Sequence, residues 1–122
     1  MGGNHNPGAS VLIIYFILLK NDKIDDWFTA KFIYDEYEKF KESPEYNKCI
    51  TNIRVDFEKH GELKNLSSIS NINGWIKKHI DIKPVYWFIK RKNISGLYEF
   101  RIKETLIPRL QKALNTLPAC IQ

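Results

Sequence analysis

The patterned part of the chain opens with an unbroken apolar run, Val11 to Leu19, with no polar stripe at either a helical or a strand period. Such a run suits a buried helix or a buried strand equally, and its β-branched content leans towards strand. Its setting decides for helix. A short Asn21-Asp22-Lys23 break follows it, and then an amphipathic segment, which together make a compact helical beginning. Lys23 to Phe28 reads as a short extended segment, after which Thr29 can cap a helix from Ala30 to about Lys41. There Ile33, Tyr37 and Phe40 recur at i, i+4 and i+7 as one apolar stripe, with Asp35, Glu36, Lys39 and Lys41 on the other faces. The aromatic stripe reads as core.

Ser43-Pro44-Glu45 combines an N-cap residue, proline at the first helical position and an acid in the first turn. The helix it starts is expected to run to His60 and stop at Gly61. Tyr46, Cys49 or Ile50, Ile53 and Phe57 turn inward on it, leaving Asn47, Lys48, Thr51, Asn52, Arg54, Val55 and Lys59 on a polar, net basic outer face. Glu62 to Gly74 is rich in Ser and Asn and leaves open a lightly packed loop or a short irregular helix; Trp75 to Ile80 reads as one or two more helical turns. Pro84 introduces Val85 to Arg91, rich in β-branched and aromatic residues, and Leu97 to Ile102 alternates apolar and polar positions. This is a β-hairpin pattern, with Asn93 and Gly96 in its connection and Lys90, Arg91 and Lys92 expected at its tip. Leu106, Leu110, Ala113, Leu114 and Leu117 then predict a C-terminal helix starting or bending near Pro108.

Composition narrows what such a chain can do. It has 122 residues, 43% of them hydrophobic, enough for the core of one domain. The net charge of +5 permits attraction to a polyanion without requiring it. Cys49 and Cys120 form no CxxC and no regular framework, so neither a disulfide scaffold nor a zinc module is expected, and Cys49 reads as a small apolar residue on a helix's inner face. The run Val11 to Leu19 is about half the length of a membrane span, and the signals of a secretory leader are missing around it. The expectation is an intracellular protein of cytoplasm, nucleoid or nucleus, with no membrane contact. Met1 to Gly8 lacks the hydroxyl residue of a myristoylation signal and reads as a flexible arm or expression remnant.

Helix, short strand, helix, turn, helix and a hairpin with a basic end resembles the order of a winged helix-turn-helix domain. Phe28 to Phe40 looks like its second helix, Tyr46 to His60 like its recognition helix, and Trp87 to Arg101 like its wing, with Gly96-Leu97-Tyr98-Glu99-Phe100 similar to the end of many wings. The stretch between Gly61 and Pro84 is longer than the usual passage from recognition helix to wing. The resemblance implies an α+β, mainly helical winged helix: a three-helix core plus a β-hairpin wing over residues 11–102, a flexible arm over 1–10, and an additional C-terminal helix and tail over 103–122 as a candidate dimerisation element. It further implies that the Pro44 to His60 helix enters the major groove of double-stranded DNA and that the hairpin lies on the adjacent backbone. Asn47, Asn52 and Arg54 would then read bases, Lys48, Thr51 and Lys59 would hold phosphates, and Lys90, Arg91 and Lys92 would contact the backbone.

No enzymatic activity, cofactor or metal is expected. The tripeptides Asp81-Ile82-Lys83 and Glu62-Leu63-Lys64 match the acid-x-Lys element of metal-dependent nucleases, with Asp56 the nearest upstream acid, but such matches arise easily by chance in a Lys-rich chain. His5, His60 and His79 lack metal-ligand spacing. The leading expectation is a DNA-binding regulator, or the DNA-reading domain of a larger nuclease or replication assembly. The alternative is a protein-interaction winged helix, which requires Leu106, Leu110 and Leu114 to form an exposed apolar ridge.

Overall fold

The computed structural model describes residues 7–82 and 87–120, with backbone only for 79–82. The architecture is α+β and mostly helical. Helices α1 (Ala9–Lys20), α2 (Ala30–Glu42), α3 (Pro44–Phe57) and α4 (Ile69–Ile82) precede a two-stranded antiparallel hairpin, β1 (Phe88–Lys92) and β2 (Tyr98–Ile102), and α5 (Ile107–Leu114) follows it. Short 3-10 turns at Glu62–Leu66, Glu104–Leu106 and Pro118–Cys120 complete the order.

The unbroken apolar run is a helix, as its setting suggested, and it is the axis of the core. Every residue from Ala9 to Leu18 is buried, because α2, α3, α5 and the Glu62–Leu66 turn all pack on α1. A helix apolar all round is stable in water only when it is covered all round. Its N-terminus is consequently deprived of solvent, and the structure supplies a distant partner. The Glu62 carboxylate accepts hydrogen bonds from Ala9 N (3.2 Å) and Ser10 N (3.1 Å), while Ser10 Oγ donates to the Glu62 carbonyl (3.3 Å). Pro7 is buried as well, so order begins ahead of Val11.

Helix α2 starts where expected, with Thr29 Oγ1 accepting from Phe32 N at 3.1 Å. Ser43 serves two helices: it closes α2 and caps α3, accepting from Tyr46 N at 3.4 Å ahead of Pro44. This single-residue junction folds α3 back on α2, and Phe16, Phe40 and Tyr46 meet there edge-on and tilted. The expected continuation of α3 to His60 does not form. Glu58 is already extended, and His60 (φ 54°) and Gly61 (φ 65°) are both left-handed, which turns the chain so that Glu62 reaches α1. The undecided Ser- and Asn-rich stretch resolves into a 3-10 turn and the first six residues of α4, a helix of 14 residues rather than one or two turns.

Two further expectations are corrected. Cys49 is not merely an apolar helix residue; it forms a disulfide with Cys120, tying α3 to the C-terminal 3-10 turn across 71 residues. The predicted C-terminal helix is shorter than its leucine pattern, occupying only Ile107–Leu114, and it is not an exposed ridge. Leu110 and Leu114 are buried and Leu106 is half-buried, so the apolar stripe is consumed by the chain's own core on α1. Among the described residues, no helix is long and apolar enough to cross a membrane.

Candidate nucleic-acid interface

The hairpin register decides which side chains can act together. Lys92 pairs with Tyr98, Lys90 with Phe100 and Phe88 with Ile102, and alternation places these six on one face of the ribbon. Phe88, Phe100 and Ile102 anchor that face in the core, and Phe28 extends the sheet by one bridge to Phe100 through two backbone hydrogen bonds of 2.8 and 2.7 Å. Beyond the anchored end the same face turns cationic. The ammonium groups of Lys90 and Lys92 lie 5.5 and 5.2 Å from the centre of the Tyr98 ring, and Lys77 of α4 comes to 4.4 Å from it. Two elements thus deliver three positive charges to one aromatic ring.

The expectation that Lys90, Arg91 and Lys92 sit together at the tip is corrected by this register. All three belong to β1, and the connection proper is Asn93–Leu97. Strand alternation turns Arg91 to the opposite face, where its guanidinium stacks on Trp27 at 4.3 Å and donates to Glu99 at 2.8 Å. Its charge is matched there. Among the described residues no carboxylate pairs with Lys77 or Lys92.

Helix α4 reaches this position because Ile72 and Ile76 are buried against the body and Trp75 stacks edge-on against Phe88 at 5.9 Å. Its outer side carries Ser70, Asn71, Gly74 and Lys78, which with Lys64 and Trp75 line an open groove of about 410 Å³. Gly74 is notable there: a Cβ added to it would touch nothing within 4 Å, so the fold itself gives no reason for glycine. Sequence reasoning missed this face because the segment's weak pattern hid the helix; the signal was present in Ile69, Ile72 and Ile76 at helical spacing.

The α3 candidates form a separate group. Asn47, Lys48, Thr51 and Arg54 are exposed on α3 and Asn52 is half-buried, whereas Lys59, exposed as well, lies beyond the helix, which ends at Phe57. Asn52 Nδ2 donates to the Lys48 carbonyl at 2.9 Å and Arg54 Nε to Glu58 at 3.2 Å, so both are engaged locally. The principal contacts of α3 are with α1, α2 and the C-terminal turn, whereas α4 is the helix that packs on β1.

Of the acids weighed for nuclease chemistry, Glu62 is occupied in capping α1 and Asp56 is exposed on α3. Asp81 and Lys83 lie outside the described side chains, as do His5 and His79. Among the described residues, no group of three or more His, Cys, Asp or Glu could hold a metal ion. Burial raises the Tyr15 and Tyr37 hydroxyl pKa values, and a hydrogen bond to Glu38 raises that of Lys41; none of these groups belongs to the cluster.

No protein-family model, curated protein or solved structure matches the chain.

Proposed function

We propose that this protein is a winged-helix variant that binds double-stranded DNA through α4 and the β1–β2 hairpin. The observation that carries the reading is the convergence of Lys77, Lys90 and Lys92 on Tyr98. Lys77 and Lys92 pair with no carboxylate among the described residues, and a phosphate backbone placed against them gains ion contacts while releasing its own counterions. Ser70, about two turns from Lys77 on the same helix, has a hydroxyl for which base edges offer partners, and Gly74 lets a backbone approach the helix closely. The helix adjoining the hairpin therefore takes the groove-reading role, and the α3 face of Lys48 and Arg54, with Lys59 just beyond it, lies at the flank.

The test is binding to mixed-sequence duplex DNA, measured by fluorescence anisotropy across a salt series. Replacing Lys77, Lys90 and Lys92 together by Ala is expected to flatten the log–log salt slope by up to about 3, at roughly 0.9 per lost phosphate contact. Replacing Lys48, Arg54 and Lys59 is expected to leave it nearly unchanged. The opposite ranking would return the reading role to α3, and no binding of the parent protein at low salt would end the DNA reading.

A further inference from the structure

The hairpin ends in a feature that phosphate binding leaves unused. Ile94 is fully exposed at 107% and Leu97 at 60%, while the apolar residues at the base of the same hairpin are buried. These two are not on a loose loop. Asn93 Oδ1 accepts hydrogen bonds from Ser95 N (2.9 Å) and Leu97 N (3.0 Å), Gly96 N donates to the Asn93 carbonyl (2.9 Å), and Asn93 N donates to the Leu97 carbonyl (2.8 Å). Gly96 takes the left-handed conformation (φ 81°) that closes the turn. The turn is therefore stiff, and it stands at the end of a ribbon buried in the core at Phe88, Phe100 and Ile102 and packed partly against it at Tyr98. Ile94 lies two residues beyond the Lys92–Tyr98 pair that ends the ribbon.

We propose that this turn is an apolar wedge that enters the minor groove of the bound duplex, with Ile94 inserted between base pairs and Leu97 behind it, unstacking one step. The inference rests on the duplex-binding reading and adds what the hairpin does once docked. Inserted aliphatic side chains flanked by cations are how proteins part a base step from the minor groove. Here the nearest cation is Lys92 on the stem, and a phosphate beside the parted step is a group its ammonium ion complements. A rigid turn suits the task, because the wedge loses little conformational freedom on insertion. A lipid surface is less well served: two aliphatic residues are a small apolar area, and Tyr98 and Trp27, the aromatics that an interfacial anchor would present, lie under cations instead of at the tip.

The experiment uses the full chain and a duplex with 2-aminopurine at successive positions, whose fluorescence rises when its neighbours unstack. Binding of the parent protein is expected to raise the signal at one step. The double substitution Ile94→Ser with Leu97→Ser is expected to abolish the rise while leaving the salt slope and the circular-dichroism melting curve as they were. Because both side chains are exposed, the variant is expected to fold. Binding of the parent protein without any fluorescence rise would overturn the wedge and leave the DNA reading intact. Loss of all duplex binding at low salt would remove the DNA reading itself. Co-sedimentation with phosphatidylserine-containing vesicles, lost in the Ser variant and unaccompanied by any DNA signal, would overturn both in favour of a membrane-facing tip.

Discussion

Among single residues, Glu62 bears the heaviest structural duty for its sequence context. Its carboxylate accepts from Ala9 N and Ser10 N, two partly buried donors that water reaches poorly once α1 is covered, and from the exposed Lys59 N. Glu62→Ala is expected to destabilise the fold by about 2–3 kcal/mol in urea titration, the combined effect of a lost cap and of stranded N–H groups. Gly8→Ala attacks the same contact from the other side, since a Cβ there would lie 2.5 Å from Glu62 Oε2, and is expected to lower the melting temperature without touching the hairpin. Tyr15 and Tyr37 set the behaviour in alkali. Burial disfavours their ionised forms and raises their pKa values above the ordinary 10.0, more than the Lys41 and Arg54 charges lower that of Tyr37. A folded-state pKa above the unfolded one means that the stabilisation is complete below pH 10 and fades as pH climbs through the raised values. The Phe variants of both residues are expected to show a shallower fall of melting temperature above pH 10.

Element by element, the local signals that read well were those with a cap at one end. Thr29 and Ser43-Pro44 mark the starts of α2 and α3, and the structure begins both helices there. Ends read less well, because the stop of α3 depends on Glu58, His60 and Gly61 turning the chain towards a distant helix terminus. Helix α4 was the element most obscured, its interior carrying Ser70, Asn71, Asn73 and Gly74, all weak helix formers. Packing of Ile72, Trp75 and Ile76 makes it a helix despite that composition. Gly74→Ala is therefore expected to stabilise the protein by about 0.5–1 kcal/mol, read from the denaturation midpoint. The same change is expected to weaken duplex binding several-fold in the anisotropy assay, a split that a glycine without functional use would not produce.

Across the whole molecule, the disulfide and the central helix do the joining. Cys49–Cys120 closes a loop of 71 residues, and linking such a span removes enough unfolded-chain entropy to stabilise by roughly 4 kcal/mol. Reduction with dithiothreitol, or Cys120→Ser, is expected to lower the urea midpoint accordingly, and Cys49 Ala-substituted protein is expected to match the reduced form. Thiol titration under denaturing, non-reducing conditions is expected to find no free cysteine. Lys31, Lys39 and Lys41 on α2 are each paired with a neighbouring acid on that helix.

What the amino-acid order determined by itself is what acts over one helical turn or one strand repeat: the caps, the apolar stripe of α2, the Asn93–Gly96 connection and the pairing of the two strands around it. What only the tertiary structure decided spans tens of residues: Glu62 on α1, Cys49 with Cys120, the burial of Leu110 and Leu114, and Lys77 beside Lys90 and Lys92. Even the basic triplet of β1 was divided by a rule of the strand, alternation, whose consequence appears only once one face of the ribbon has a core to lie on. Local periodicity constrains each residue's neighbours three or four positions away, whereas the convergence of α4 and the hairpin on one ring depends on which apolar faces cover α1, and that is settled by packing.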